Sequence, residues 1–418
     1  MPRVLLVAAT TGYQTRSFAD AARRHSIEVT LATDRCHILE DPWRDHAIPI
    51  RFEDPHGSAD ALAAEVRPLG INAVIAVADR PTLVAALTAE KLGLPWHPAE
   101  AVAICRDKHR MREVFAAAGL QVPRNFRVPV DADARVAARD SFYPCVLKPL
   151  GLSASRGVIR ADNPQEFFAA FERIRRILAQ PEIVHLQEEW NQAIQIEQYI
   201  EGREFALEGL MTNGALETLA IFDKPDPLEG PFFEETIYVT PSRETVAVQA
   251  SIVGTARRAV EAIGLRHGPV HAEMRVNTEG VWMLEIAARP IGGLCARALR
   301  FGNSLTLEDL IVLHAIGRKP ASPVLTPPAS GVMMIPIPRA GVYHGCSGIE
   351  DALAVPGITD AVITARIGQT LVPLPEGGSY LGFLFAGGDT PSAAEASLRA
   401  AHTRLDFEIF STLEIIPS

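Results

Sequence analysis

Residues 267–290 read HGPVHAEMRVNTEGVWMLEIAARP, and the chain continues IGG to Gly293. From Val270 the residues alternate: Val270, Ala272, Met274 and Val276 are apolar, and His271, Glu273, Arg275 and Asn277 between them are polar. Alternation with a period of two predicts a strand with one buried face. Thr278-Glu279-Gly280 predicts a three-residue hairpin loop with glycine at the positive-φ position, and VWMLEIA returns as the second strand. That register sets Asn277 opposite Val281 and Glu273 opposite Glu285. It also puts Glu285, Ala287 and Arg289 on the face that carries His271 and Glu273. Like charges directly opposite each other destabilise a sheet. Either a divalent cation lies between the two acids, in the oxygen-ligand environment that magnesium prefers, or the register differs and both acids are solvated.

Outward from the hairpin, the first 95 residues alternate strand and helix. VLLVAA (4–9), IEVTLAT (27–33) and NAVIAVAD (72–79) are strand-like, with TRSFADAARRH and SADALAAEVRPLG between them. This predicts a parallel, doubly wound, Rossmann-like domain over residues 1–97. The turn ATTGYQT has one glycine and is not the GxGxxG fingerprint, so the domain reads as a scaffold without a dinucleotide. LPWHPAEA (94–101) marks a boundary. FYPCVLKPL (142–150) then opens a second α/β unit with the loop GLSASRG, the helix NPQEFFAAFERIRRIL and the paired run IQIEQYIEGREFALEGLM. A helix is expected over 243–263. The proline-rich RKPASPVLTPPAS (318–330) leads into a small β-rich domain, 323–418, closed by a helix near 391–405.

Bulk properties bound the function. A chain of 418 residues exceeds one hydrophobic core, so several domains are expected. A net charge of −10 argues against nucleic-acid binding as the main business. The apolar part of MPRVLLVAATTGYQ is too short to span a membrane and lacks a cleavage site, so it reads as a first strand of a cytoplasmic protein with no membrane partner. The five cysteines, at 36, 105, 145, 295 and 346, form no CxxC pair, which fits reduced thiols and gives no zinc or disulfide framework.

Three further stretches carry chemistry. Lys148 ends the apolar run VLK and precedes PLGLSASRGV, whose small residues let backbone N–H groups approach an anion. No Walker A pattern occurs, and Gly/Ser turns between strands are common. Lys108, in CRDKHRMREVF, starts a helix and by itself reads as a solvated lysine. EQYIEGREF offers an extended backbone at Glu197, Tyr199 and Ile200 for a base edge and the Glu204 carboxylate for ribose hydroxyls, or else a plain hairpin with exposed acids.

Taken in order, Lys108, Lys148 with its loop, Glu197 to Glu204, and Glu273, Glu285 and Arg289 resemble the ATP-grasp fold over about the first 320 residues. The resemblance implies an α/β and α+β protein: a Rossmann-like domain, an ATP-grasp domain of two α+β subdomains over 98–322 with its lid at about 124–201, and the β-rich C-terminal domain. It implies that Lys108 and Lys148 contact ATP phosphates and that Gly151, Ser153, Ser155, Arg156 and Gly157 form a lid loop. Glu197, Tyr199 and Ile200 would line the adenine slot, and Glu204 would hold the ribose. Glu273 and Glu285 would hold magnesium, or manganese in its place.

Within that superfamily the chain most resembles the L-amino acid ligases. FDKPDPLEGPFFEETIYVTPS (222–242) resembles their substrate-side stretch, with Glu235-Thr236 on its Glu-Thr pair, and Ala-Arg-Pro precedes Gly292-Gly293 as theirs tends to. The implied activity is ATP-dependent joining of a carboxylate, expected to be an L-amino acid, to an amine or second amino acid, through an acyl phosphate. Arg289 and His271 would act at the reacting group, with Glu235, Tyr238, Gly292 and Gly293 on the substrate side. A homodimer is the base-rate expectation. Two departures stand out: Ala287 occupies the position of a common asparagine metal ligand, and Ile237-Tyr238 replaces a histidine after the Glu-Thr pair. The alternatives are a carboxylase or formate-using ligase of the biotin-carboxylase or purine-pathway type, and a non-catalytic nucleotide-binding protein, which only Ala287 supports.

Overall fold

The structure, a computed structural model, describes residues 1–10, 14–34, 47–187, 189–302, 304–318 and 324–411. Cys36, residues 11–13 of the turn after the first strand and residues 319–323 of the proline-rich connector lie outside them. The N-terminal unit is a parallel sheet in the order Ile48–Pro49, Glu28–Thr33, Arg3–Ala8, Ala73–Val77. Ala73–Val77 is buried at every position, as a strand covered on both faces should be. The chain leaves the carboxyl ends of two of these strands at Ala9 and at Ala78-Asp79, which reach the central cleft.

Residues 125–198 form a separate antiparallel sheet in the order Asn125–Pro129, Ala193–Gln198, Cys145–Pro149, Ile159–Ala161. Helix Pro164–Leu178 packs on it through Phe167, Phe171 and Ile174, giving this unit its own core. The helix starts where Asn163 accepts from the Glu166 N–H and the Glu166 carboxylate accepts from the Asp162 N–H.

The largest element is an eight-stranded sheet. Its order is Gly280–Ala287, Gly268–Asn277, Arg203–Thr212, Ala215–Asp223, Ile237–Thr240, Ala329–Ile335, Gly382–Gly388, Ile358–Ile363. The last three strands belong to the C-terminal stretch, so the sheet runs across the boundary expected at residue 323. Ala329–Ile335 is wholly buried and pairs with Ile237–Thr240 almost a hundred residues earlier, a partnership that local sequence does not display. Helix Val246–Ile263 covers the sheet through Ile252, Ala256, Ala259 and Val260.

The hairpin that carries Glu273 and Glu285 forms, with a tighter turn than expected. Asn277 pairs with Gly280 and Met274 with Met283; then Leu284 is inserted and Glu273 pairs with Glu285. The two-residue turn moves the register by one, and the β-bulge at Leu284 moves it back. The opposed acids therefore sit where the alternation placed them. Beside the hairpin turn, just before the neighbouring strand begins, Gly202 has a φ of +126°, and a Cβ there would collide with the Val276 carbonyl oxygen. Replacing Gly202 with valine should lower stability by about 1–3 kcal/mol, read as a reduced midpoint in urea unfolding; an unchanged midpoint would show that this approach is not constrained.

Candidate active site

One face of the eight-stranded sheet carries a ladder of charge. On strand Arg203–Thr212 the residues facing the cleft are Glu204, Ala206 and Glu208, opposite Arg275, Glu273 and His271 of the next strand. On the far side Glu273 faces Glu285 and His271 faces Ala287. Arg275 donates to Glu204 at 2.9 Å and to the carbonyls of Ile200 and Leu228. His271 is held at Nδ1 by Glu208 and at Nε2 by Glu273, 3.1 Å away. Burial opposes the imidazolium charge, but Glu208 and Glu273 raise its pKa to about 9. The histidine is thus a cation clamped between two acids, and neither nitrogen is left to take a proton at neutral pH.

The strand after Glu204 adds a group that sequence reading passed over. Lys224 follows Ala215–Asp223, and its ammonium donates to Glu204 at 2.8 Å, Glu235 at 2.5 Å and Glu273 at 3.2 Å. Glu204 therefore has one oxygen on Lys224 and the other on Arg275. Glu235 lies against the ladder, using one oxygen for Lys224 and the other for the Tyr238 hydroxyl, 2.7 Å away. Burial, with Glu273 and Glu204 nearby, raises the Glu235 carboxyl above its ordinary value despite the ammonium.

The opposite wall comes from the smaller sheet. Lys148 ends its strand and meets Glu197 at 2.5 Å; Arg112 reaches the same carboxylate at 3.0 Å and Gln195 donates to it at 2.6 Å. Glu197 is 2% exposed. Burial alone would raise its pKa, but Arg112 and Lys148 bring it down to about 2. Next to it Val146, Tyr199, Leu228 and Phe233 form a small apolar cluster. The Arg160 guanidinium covers the Tyr199 ring at 4.0 Å.

The glycine loop closes the cleft from above. Ser153, Ala154 and Ser155 line it, and Ala154 and Ser155 both have positive φ, a costly backbone for residues with a Cβ. Gly151 and Gly157 lie against Asn191 and Pro149, where a Cβ would not fit. The loop is tied to the C-terminal domain: Arg156 Nε donates to the Glu376 carbonyl, and the Gly157 N–H to that of Pro375. Lys108 projects between this loop and the sheet, 3.5 Å from Glu285.

The end of the cleft is built by the N-terminal domain. Arg289 makes a two-point contact with Asp79, at 2.8 and 3.0 Å, and a third bond to the Pro290 carbonyl. One N–H on each of its terminal nitrogens remains for a ligand. Burial would raise the Asp79 carboxyl, but Arg289, with Lys108 and Arg106 behind it, holds it below its ordinary value. Gln14 donates to the Ile291 carbonyl and completes this wall with Gly292 and Gly293. The cleft has a volume of about 410 Å³, and a second chamber of about 520 Å³ on the far side of the loop shares Asp79, Lys108, Ser153 and Glu285 with it. Every expected site residue except Gly151, Arg156 and Gly157 lines the cleft; Gly151 and Arg156 line the second chamber, and Gly157 anchors the loop.

Two domain models match parts of this layout: an ATP-grasp N-terminal domain at residues 19–96 and an ATP-grasp domain at 141–298. The chain belongs to the ATP-grasp superfamily. A third model, the L-amino acid ligase C-terminal domain 2, matches 333–409. The alanine–anticapsin ligase of Bacillus subtilis is 28% identical over 299 residues, 66% of this chain and 62% of that protein. The chain thus spans under two thirds of the length of these curated relatives. Among solved structures, an L-amino acid ligase from Bacillus licheniformis superposes with a TM-score of 0.83 at 23% identity, covering 98% of this chain and 99% of that one. N5-carboxyaminoimidazole ribonucleotide synthetase from Thermotoga maritima gives 0.69 at 16% identity, covering 98% and 100%. No helix among the described residues is long and apolar enough to cross a membrane.

In this ATP-grasp cleft the donors suit a hard divalent ion. Glu273 and Glu285 face each other on paired strands and both line the cleft. Glu273 Oε2 receives no hydrogen bond among the described residues, and Glu285 meets only Lys108, at the long distance of 3.5 Å. Carboxylate oxygens are what magnesium takes. Ala287, buried beside them, supplies no oxygen donor, so an ion held by Glu273 and Glu285 would take its remaining ligands from water or another bound oxygen.

The Glu197 cluster gives a testable pH dependence. Its folded pKa, about 2, lies below the ordinary 4.5. Its stabilisation is therefore complete above the ordinary value and is lost as the pH falls toward about 2. Glu197→Gln strands Arg112 and Lys148 without their counter-charge and should cost about 3–5 kcal/mol near neutrality. Thermal melts across this acid range should show a shallower loss in the variant than in the parent; parallel curves would mean that another carboxylate sets the acid limb.

Proposed function

We propose that this protein is an ATP-dependent carboxylate–amine ligase that joins an L-amino acid to an amine, in the simplest case a second amino acid. The observation that carries the reading is the pairing of Glu273 with Glu285 under Lys108 and Lys148, with Arg289 at one end and an apolar slot at the other. The slot at Val146, Tyr199, Ile200 and Phe233 suits adenine. Lys148 and Lys108 suit the phosphates, with the glycine loop above them. When bound, magnesium would neutralise phosphate charge and align the terminal phosphoryl group.

A donor carboxylate would attack the γ-phosphorus and release ADP. The chain's part is positioning and charge compensation. Arg289, fixed by Asp79, has one free N–H on each terminal nitrogen with which to hold the carboxylate in line. The amine would then attack the acyl carbon and expel phosphate, while the loop at 151–157 keeps water out. His271 serves by fixing Glu273. Both oxygens of Glu235 and both of Asp79 are engaged within the protein, but Asp79 is the more exposed of the two and is the acid open to a substrate ammonium group, while Glu235 acts through Tyr238 and Lys224. The second chamber, open to Asp79 and Lys108, is the route left for the amine once nucleotide and acid fill the cleft.

The test is ADP release coupled to a dye-linked assay across pairs of amino acids, with the dipeptide identified by mass. Amine-dependent ADP from at least one pair is expected, and none from any pair would sink the reading. Glu273→Gln and Glu285→Gln should each lower turnover by about 100-fold or more. The fold shared with N5-carboxyaminoimidazole ribonucleotide synthetase supports a second reading, in which bicarbonate is the activated acid. ATP hydrolysis stimulated by bicarbonate without an amine would transfer the proposal there.

A further inference from the structure

Among the described residues, Lys224 is the one cation of the cleft that meets three acids at once. Its side chain is 2% exposed, so it does not reach solvent. An ammonium has three protons, and here each meets a different carboxylate from a different part of the chain. One oxygen from each of Glu204, Glu235 and Glu273 lies within 4.8 Å of the others, the geometry of a hard-cation site. Three carboxylates that close in a buried place must gain protons, gain a cation or move apart. The chain supplies the cation itself.

We propose that Lys224 is a positioning residue that stands in for a metal ion. It closes the Glu204/Glu235/Glu273 cage to metal and fixes which oxygen of Glu273 is offered to the site shared with Glu285. Glu273 Oε1 accepts from Lys224 Nζ at 3.2 Å and from His271 Nε2 at 3.1 Å. Its other oxygen is the one left over on the strand that faces Glu285. Arg275 holds the second oxygen of Glu204, and His271 bridges Glu208 and Glu273, so Lys224 is the cation shared by all three acids of the cage and the one that Glu235 meets. Removing the ammonium leaves those two acids, with Glu204, around a vacated volume the size of a lysine head group. A divalent ion is the species that satisfies all three. This inference rests on Glu273 and Glu285 being the metal pair of the proposed ligase.

The experiment is a count of bound manganese by electron paramagnetic resonance on the full chain without nucleotide. The parent, Lys224→Ala, Lys224→Gln, Glu285→Gln and the Lys224→Ala/Glu285→Gln double variant are compared after melting curves establish which are folded. Lys224→Ala should bind one manganese ion per chain more than the parent, and the double variant should keep that extra ion. Methylammonium, which fits the vacated space as the lost head group did, should displace the extra ion from Lys224→Ala and leave the parent unchanged. Lys224→Gln, which fills the space without charge, keeps the test alive if the alanine variant does not fold, and it too should gain manganese affinity, by about tenfold or more. An unchanged count in every folded Lys224 variant overturns the proposal while leaving the metal pair intact. If instead Glu285→Gln leaves the parent's count untouched, the metal pair fails, and the extra ion in the lysine variants is judged on its own.

Discussion

A carboxylate taken out of water must be matched by a cation or by hydrogen bonds, and that constraint organises this cleft. Glu197, Glu204 and Glu208 are each less than a tenth exposed, and each is answered: by Arg112 and Lys148, by Arg275 and Lys224, and by His271. The answers come from neighbouring strands, so the pairing register and the charge pattern are one design. A slip of one residue between Arg203–Thr212 and Gly268–Asn277 would send Arg275 and His271 to the apolar face and leave Glu204 and Glu208 unpaired. The electrostatics therefore oppose misregistration as strongly as the hydrophobic face does.

The same constraint separates acids that hold the fold from acids that meet a ligand. Glu204, Glu208 and Glu197 are saturated by the chain. Glu285 and Asp79 are partly exposed and both line the cleft, although Asp79 is paired with Arg289 through both oxygens. Glu273 stands between the two groups, with one oxygen bound inward and one outward. That division is why Glu204, by resemblance a ribose ligand, and Glu235, by resemblance a substrate-side residue, read differently once their partners are seen.

Much of this was legible in the sequence, for reasons of period. Strand faces repeat every two residues, so the opposition of Glu273 and Glu285 followed from alternation even though the turn was read one residue too long; the bulge at Leu284 cancelled the error. Lys148 was visible because it ends an apolar run. Lys224 ends an equivalent run, AIFDK, and the same criterion finds it. Glu208 could likewise have been found from its parity with Glu204. Asp79 and Arg289 are 210 residues apart and meet only because two domains pack together. No local pattern encodes that, although an acid at the carboxyl end of a parallel strand stands where such sheets present side chains to ligands. The continuation of the central sheet past residue 323 was hidden for a similar reason, since a fully buried strand carries no alternation to mark its partners.

The packing of the C-terminal domain bears on how the cleft opens. Its strands extend the sheet that carries the charge ladder, while its segment at 375–378 holds the glycine loop through Arg156 and Gly157 and meets Arg173 through Glu376 at 2.5 and 2.8 Å. One domain therefore grips both the floor of the site and its cover. A loop attached only to its own small sheet could swing freely about residues 151–157; tied at Pro375 and Glu376, it can lift only by breaking those bonds or by taking the segment with it. Ala154 and Ser155 hold left-handed backbone within this tethered stretch, a conformation that persists only where the surroundings impose it. The chamber at this junction is bordered by Arg156, Glu376 and Lys108, so any opening of the cover there would have to part the contacts that the segment at 375–378 makes with the loop.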